Sequence, residues 1–269
     1  MDRGDPSGSL RGNLSTLPPV STFASFDDTE IWFDDQDEDG DGPAVVLLHG
    51  FAADTNINYI RPGIFDALLD AGYRVVVMDF RGHGLSAKPH EPEAYADGAL
   101  ARDVQALLDH LGLGRVAVVG YSMGAGIALH LGARDERVTR VVALGVGGAS
   151  LDRRASGRPP MEDALLAEDP ATITDPLGAQ FRRLADSIRA DRVALAACMS
   201  APNAQAEHHL DELTVPVLVI AGTDDELAGD PGPLAERVAD GRALTVPGDH
   251  FDANAQPALQ RALLDFLAE

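Results

Sequence analysis

The sequence predicts an α/β fold: a mostly parallel central sheet, helices on both faces and a helical cap insertion. Two observations carry this. Short Val/Leu/Ile-rich runs alternate with longer amphipathic segments, the pattern of successive βαβ units. Most of the apolar runs are continuous rather than alternating, as expected for strands covered on both faces. At 269 residues the chain suits one large domain or a domain with an insertion.

The elements follow in order. Residues 1–22 are polar and rich in Gly, Pro and Ser. They lack the apolar segment of a secretory signal and are expected to form a loose arm. FASFDDTEIWFDD, residues 23–35, is expected to add an antiparallel hairpin at one sheet edge. Strands are expected at 43–50, 73–80, 115–122, 138–145, 215–222 and 242–248, and helices at 62–71, 96–111, 123–134, 232–238 and 256–268. Between 147 and 210 no strand pattern appears; helical stretches run over 176–189 and 192–199. This segment reads as a helical cap inserted into a core made of 23–146 and 211–269. It would cover the carboxyl ends of the strands, where open α/β sheets bind ligands.

Composition narrows the partners. A formal charge of -22, with Lys88 as the one lysine, should repel nucleic acid and anionic membranes. Such charge fits either a solvated acidic surface or adaptation to high salt, where counterions screen self-repulsion. A melting temperature that does not rise with KCl excludes the second. The single cysteine, Cys198, permits no internal disulfide, and no apolar run approaches a bilayer span. A cytoplasmic location is expected.

Gly120-Tyr121-Ser122-Met123-Gly124 is G-x-S-x-G between an apolar strand and a small-residue helix. In that setting the turn must be sharp enough to lift the serine hydroxyl above the sheet. Glycines two residues either side remove side chains that would collide. The helix that begins at Met123 adds its positive end beneath a developing negative charge. A serine nucleophile needs a base, and the base an orienting acid. His250 falls just past the last predicted strand, and Asp224 and Asp225 just past the one before it.

LLHGF (47–51), DFRGHGLS (79–86), GYSMG (120–124), GTDD (222–225) and PGDHF (247–251) together resemble the α/β-hydrolase superfamily, among its smaller esterase-like members. The likeness runs from about residue 23 to the C-terminus and is weakest in the insertion. It implies a triad of Ser122, Asp225 and His250, in the chain order Ser, Asp, His; Asp224 stays open as the acid. It also implies an oxyanion hole from the backbone N–H groups of Phe51 and Met123. No cofactor and no metal are implied. The reaction would be acyl transfer on a small-molecule substrate, of the carboxylesterase type, through an acyl-enzyme on Ser122. A C–C bond hydrolase, a cofactor-free perhydrolase or a non-catalytic ligand-binding relative stay open. Dehalogenases and epoxide hydrolases of this fold use an aspartate nucleophile, against which Ser122 argues. Activity is expected to fall as pH drops through roughly 6–7.

The cap and Phe51, Asn56, Asn58, Tyr59, Tyr121 and Phe251 are expected to line the substrate site, with Asn58 and Tyr59 alternatively holding the oxyanion loop. His49 and His83 are read as loop supports, and His110 and His130 as packing or surface residues. His208 and His209 are adjacent and lack metal-ligand geometry. Asp35 to Gly40 matches the opening of a calcium loop, but Val46 stands where the closing glutamate should be, so an acidic hairpin turn is expected. The sequence leaves oligomeric state undefined.

Overall fold

The structure is a computed structural model that describes residues 21–36, 42–151, 161–202 and 209–269. Eight strands form one sheet: β1 (Ser21–Ala24), β2 (Glu30–Gln36), β3 (Ala44–Leu48), β4 (Arg74–Met78), β5 (Val116–Tyr121), β6 (Val138–Leu144), β7 (Val217–Gly222) and β8 (Gly241–Val246). Their spatial order is β1-β2-β4-β3-β5-β6-β7-β8. The first two strands pair antiparallel, and β2 pairs antiparallel with β4. All further pairings are parallel. The expected hairpin is present and starts at Ser21, two residues inside the expected arm; residues 1–20 lie outside the described ones. So do 37–41, which include the acidic turn. Asp35 itself belongs to β2 and holds Arg74 through a hydrogen-bonded ion pair at 2.6 Å.

The period-2 alternation of each strand feeds two separate cores. Val46, Leu48, Val118 and Val141 face one side, with Leu100, Val104 and Leu107 of α2 (Ala99–His110) and Ile127 and Leu131 of α3 (Met123–Arg134). Val45, Leu47, Val119 and Leu144 face the other, with Ile64 and Leu68 of α1 (Ile64–Asp70). Burial on both faces explains the uninterrupted apolar runs. The last strand departs from that expectation: four successive residues of β8 are exposed, because it lies at the sheet edge.

The described helices between β6 and β7 include α4 (Met161–Leu166), α5 (Pro176–Ser187) and α6 (Arg192–Ser200). Asp175 and Asp191 cap the latter two through hydrogen bonds accepted from Gly178 N–H and from Val193 and Ala194 N–H. A short α7 (Gly232–Ala235) and α8 (Pro257–Leu267) follow β7 and β8. Leu259, Leu263, Phe266 and Leu267 of α8 recur at helical spacing and pack on the second core. Among the described residues no helix is long and apolar enough to cross a membrane.

The topology places the site. The chain passes from β3 to β4 on one side, then to β5 on the other. The loops after β3 and β5 therefore splay at a topological switch point, which opens a crevice at their carboxyl ends.

Candidate active site

Ser122 follows β5 directly and caps α3 with φ 52 and ψ -108. That backbone is strained by about 1–3 kcal/mol for a non-glycine residue, and the close packing around it enforces it. A Cβ on Gly120 would lie 2.1 Å from Gly124 O, and one on Gly124 2.1 Å from Leu48 O. The helix can approach β3 and β5 this closely only with glycine at both positions. Ser122 N–H donates to Leu144 O at 2.7 Å, which ties the elbow to β6.

His250 and Asp225 come from the loops after β8 and β7. The Ser122 hydroxyl lies 3.0 Å from His250 Nε2. His250 Nδ1 lies 2.8 Å and 3.0 Å from the two carboxylate oxygens of Asp225. Asp225 Oδ1 also accepts from Leu227 and Ala228 N–H at 3.0 and 2.8 Å. Burial pushes the Asp225 carboxyl up, but the hydrogen bond and charge of His250 and these N–H groups outweigh it and hold the pKa below the usual carboxylate value. Asp225 is therefore an anion fixed on the imidazole edge. Asp224 is exposed, and its carboxylate accepts from the neighbouring Thr223 hydroxyl. Of the two carboxylates left open by the sequence, Asp225 is the one set against His250.

The loop after β3 is held from three directions. Gly50 N–H donates to Asn58 Oδ1 at 2.7 Å. His49 Nδ1 lies 2.8 Å from Gly50 O, and His49 Nε2 accepts from Phe80 N–H at 2.9 Å, so Nδ1 carries the proton. Asp79 accepts from Thr55 N–H and Leu85 N–H, joining this loop to the one after β4. Neither the Phe51 nor the Met123 N–H meets a protein acceptor among the described residues. Met123 N–H opens a helix, where free donors are the rule.

Of the residues expected to line the substrate, the structure buries Tyr59 and Tyr121 in the second core. Tyr59 is fully buried in the second core, and its hydroxyl lies 2.8 Å from Leu48 O and 3.2 Å from Val119 O. It braces β3 and β5 from below. Tyr121 sits on the same face as Val119 through strand alternation, and its hydroxyl donates to His250 O at 3.0 Å. Burial, then the charges of Asp225, Asp249 and Asp252, raise its phenol pKa, so it stays a donor. Asn58 holds the loop through Gly50, and its carbonyl accepts from Asn254 at 3.0 Å, linking the loops after β3 and β8. Phe251 is 40% exposed and its ring centroid stands 5.5 Å from that of His250.

Residues not foreseen complete the surroundings. Phe181 of α5 places its ring 5.7 Å from Phe51 and 5.9 Å from Phe251. Arg81, fully buried, forks onto Asp103 and Asp27 and fixes the loop after β4 against α2 and the first hairpin. In that loop burial pushes His83 down to about 3, with His49 adding to the effect, so its ring is neutral. No signal in the sequence marks Phe181 or Asn254; each acts through a partner distant in the chain. His110 stacks on Phe23, as a packing residue would. His130 and His209 place their rings 5.8 Å apart, and His208 lies outside the described residues. Among the described residues no three His, Cys, Asp or Glu side chains gather as metal ligands do.

Comparison with known proteins gives consistent relatives. A family profile described as alpha/beta hydrolase fold matches residues 43–211, more than half of the chain. The AB hydrolase superfamily protein YfhM of Bacillus subtilis is 36% identical over 109 residues, 39% of this chain and 36% of that protein. Epoxide hydrolase B of Mycobacterium tuberculosis is 43% identical over 94 residues, 35% of this chain and 26% of that protein. The matches thus span about a third or less of these curated relatives. Among solved structures, an enol-lactonase from Burkholderia xenovorans superposes with a TM-score of 0.69 at 27% identity, covering 93% of this chain and 100% of its own. A hydrolase from Pseudomonas aeruginosa superposes with a TM-score of 0.73 at 24% identity, covering 94% and 100%, and attests the fold.

Proposed function

This chain belongs to the alpha/beta hydrolase fold family, and from that premise we propose that it is a serine hydrolase of small esters or related acyl compounds. The observation that carries the reading is the continuous hydrogen-bonded line Ser122 Oγ, His250 Nε2, His250 Nδ1, Asp225, at 3.0 and 2.8 Å. A serine hydroxyl is a weak nucleophile until a base takes its proton as it attacks. His250 is that base. Asp225 holds the imidazole with its proton on Nδ1 and stabilises the cation that forms.

The reaction then runs in two halves. Ser122 Oγ bonds to the acyl carbon while its proton passes to His250 Nε2. The carbonyl oxygen becomes an anion beside the Phe51 and Met123 N–H groups. Collapse expels the alcohol, which takes the proton from His250. Water, deprotonated by the same nitrogen, releases the acid. Each N–H donor in such a pocket is worth about 10²–10³ in turnover. The helices between β6 and β7 are read as a cap over residues 147–210 that closes the crevice above Ser122. Phe251 and Phe181 would then meet the substrate, with Tyr121 and Asn58 behind them.

The similarity to an epoxide hydrolase favours weighing epoxide opening as a second reading. Enzymes of that type attack through a carboxylate, and Ser122 stands at that place here. Likeness to an enol-lactonase brings cyclic esters into the substrate panel. The test is a panel of acyl esters of graded length, simple lactones and styrene oxide, run with the wild type and Ser122→Ala. Ester or lactone hydrolysis that disappears in Ser122→Ala supports the proposal. Hydrolysis surviving that change, or turnover of the epoxide alone, contradicts it.

A further inference from the structure

The two halves of the proposed mechanism sit on different loops. The base, His250, is on the loop after β8, and one expected oxyanion donor, the Phe51 N–H, is on the loop after β3. Ser122 gives its proton to the first as charge builds beside the second, so the spacing of the two loops matters as much as the shape of either. The sheet does not set that spacing directly, because β5, β6 and β7 stand between β3 and β8. A side-chain bond crosses the gap: Asn254 Nδ2 donates to Asn58 O at 3.0 Å, and both residues are buried.

Each end of that bond is stiff. Asn254 belongs to the same folded turn as His250. Asp249 O accepts from Ala253 N–H at 3.1 Å, Asp252 O accepts from Ala255 N–H at 3.0 Å, and Asp249 N–H donates to Asp252 Oδ1 at 2.7 Å. Asn58 passes the constraint from its main chain to its side chain. Its Oδ1 accepts from Gly50 N–H at 2.7 Å, which fixes the peptide before Gly50. The peptide after it is fixed by His49 Nδ1, 2.8 Å from Gly50 O. N–H and C=O point in opposite directions across a trans peptide, so the Phe51 N–H is aimed away from His49. Gly50 also lies against the elbow: the place where a Cβ would stand is 3.4 Å from both Asn58 Oδ1 and Ser122 Cβ. A shift of Asn58 therefore moves Gly50 and turns the Phe51 N–H.

We infer that Asn254 is a positioning residue that couples the loop of the base to the loop of the oxyanion donor, by way of Asn58 and Gly50. The assignment rests on the serine hydrolase reading and deepens it. Asn254 sets where the Phe51 N–H stands relative to His250. The oxyanion exists only as the new bond forms, so the effect belongs to turnover rather than to ground-state binding.

The experiment measures Asn254→Ala, Asn58→Ala and the double variant on an ester that the wild type hydrolyses through Ser122, with thermal unfolding of each. Asn254→Ala should lower kcat by about tenfold to hundredfold, the scale of a displaced rather than a deleted donor, with KM within about twofold. Labelling of Ser122 by a fluorophosphonate should slow by a similar factor, because the phosphoryl oxygen takes the place of the oxyanion. Asn58→Ala breaks the path one step nearer to Gly50 and should cost at least as much. The double variant should match Asn58→Ala within about threefold, since Asn254 then has no route to Gly50. Asn254→Ser, a smaller polar replacement, stands in if Asn254→Ala does not fold and should show the same split between kcat and KM. An unchanged kcat with a lowered melting temperature marks a structural role and overturns the inference. So does a loss carried by KM alone, or losses that multiply in the double variant. A wild type that neither hydrolyses an ester nor reacts at Ser122 removes the hydrolase reading and this inference with it; an active wild type with an unchanged Asn254→Ala removes this inference alone.

Discussion

Two regions of the molecule meet at Phe181 and are held by different forces. Below are the loops at the strand ends, fixed by short hydrogen bonds, glycine close approaches and a strained serine backbone. Above are the inserted helices, which meet these loops through ring contacts of Phe181. They also share the first core through Leu195, Ala196 and Cys198 of α6, and add a half-exposed His90–Asp191 pair at 2.9 Å and an Asp97 N–H to Pro202 O bond at 3.4 Å. The contrast teaches a division of labour. Groups that make and break bonds need positions fixed to fractions of an ångström. Contacts between apolar and aromatic side chains are non-directional and hold a position less sharply.

The largest way to break the comparison is in the lower region. Ser122→Ala should lower kcat by about 10⁶ while the melting temperature stays within a few degrees, read by ester hydrolysis and thermal unfolding. Asp225→Asn should lower kcat by about 10⁴, because the amide carries no charge and its N–H can donate to Nδ1, which holds the imidazole in the wrong tautomer. Asp224→Asn, one residue away, should leave kcat within about twofold, as expected of a change on an exposed surface. A reversed outcome at these two positions would reassign the acid.

Tyr121→Phe removes one hydrogen bond, from the phenol to His250 O. It should lower kcat about threefold to tenfold with KM little changed, in keeping with the roughly 1 kcal/mol of a neutral bond. A rise in KM instead would restore Tyr121 to the substrate wall.

His83 gives the lower region a pH signature. Its folded pKa of about 3 lies below the unfolded value of 6.5. The unfolded chain therefore binds the extra proton first, and stability falls as the solution is acidified from 6.5 towards 3. The contribution is complete above 6.5, and its slope reaches at most about 1.4 kcal/mol per pH unit. His83→Gln should flatten urea-derived stability across that window; an unchanged slope would remove the assignment. The smallest effect belongs to the upper region. His90→Ala breaks a half-exposed pair worth about 0–1 kcal/mol, and kcat/KM for a small ester should move by less than about twofold.

The lower region was legible in the sequence because its demands are local. A Cβ at Gly120 or Gly124 would strike main-chain atoms, so those glycines are imposed on the chain and appear as a motif. Asp225 follows a strand whose apolar run is plain, and His250 follows one with only an interrupted run, Ala243, Leu244 and Val246. Side-chain direction was harder to read. Tyr59 lies on an irregular helical turn, Asn56–Ile60, and points into the second core; Tyr121 points there because strand alternation continues two residues past the apolar run that ends at Val119. Arg81 and Phe181 were not legible at all. The partners of Arg81, Asp27 and Asp103, and those of Phe181, Phe51 and Phe251, are brought together by tertiary packing that no local pattern encodes. The exposed face of β8 follows from its place at the sheet edge, which the order of strands in the chain does not state.

The central claim is that His250, held by Asp225, makes the Ser122 hydroxyl reactive. Intact-mass analysis after treatment with a fluorophosphonate tests it most directly. The account predicts one adduct per chain, located on Ser122 by peptide mapping, absent in Ser122→Ala and formed far more slowly in His250→Ala. A wild type that stays unmodified, or an adduct on another residue that forms equally in Ser122→Ala, would contradict it.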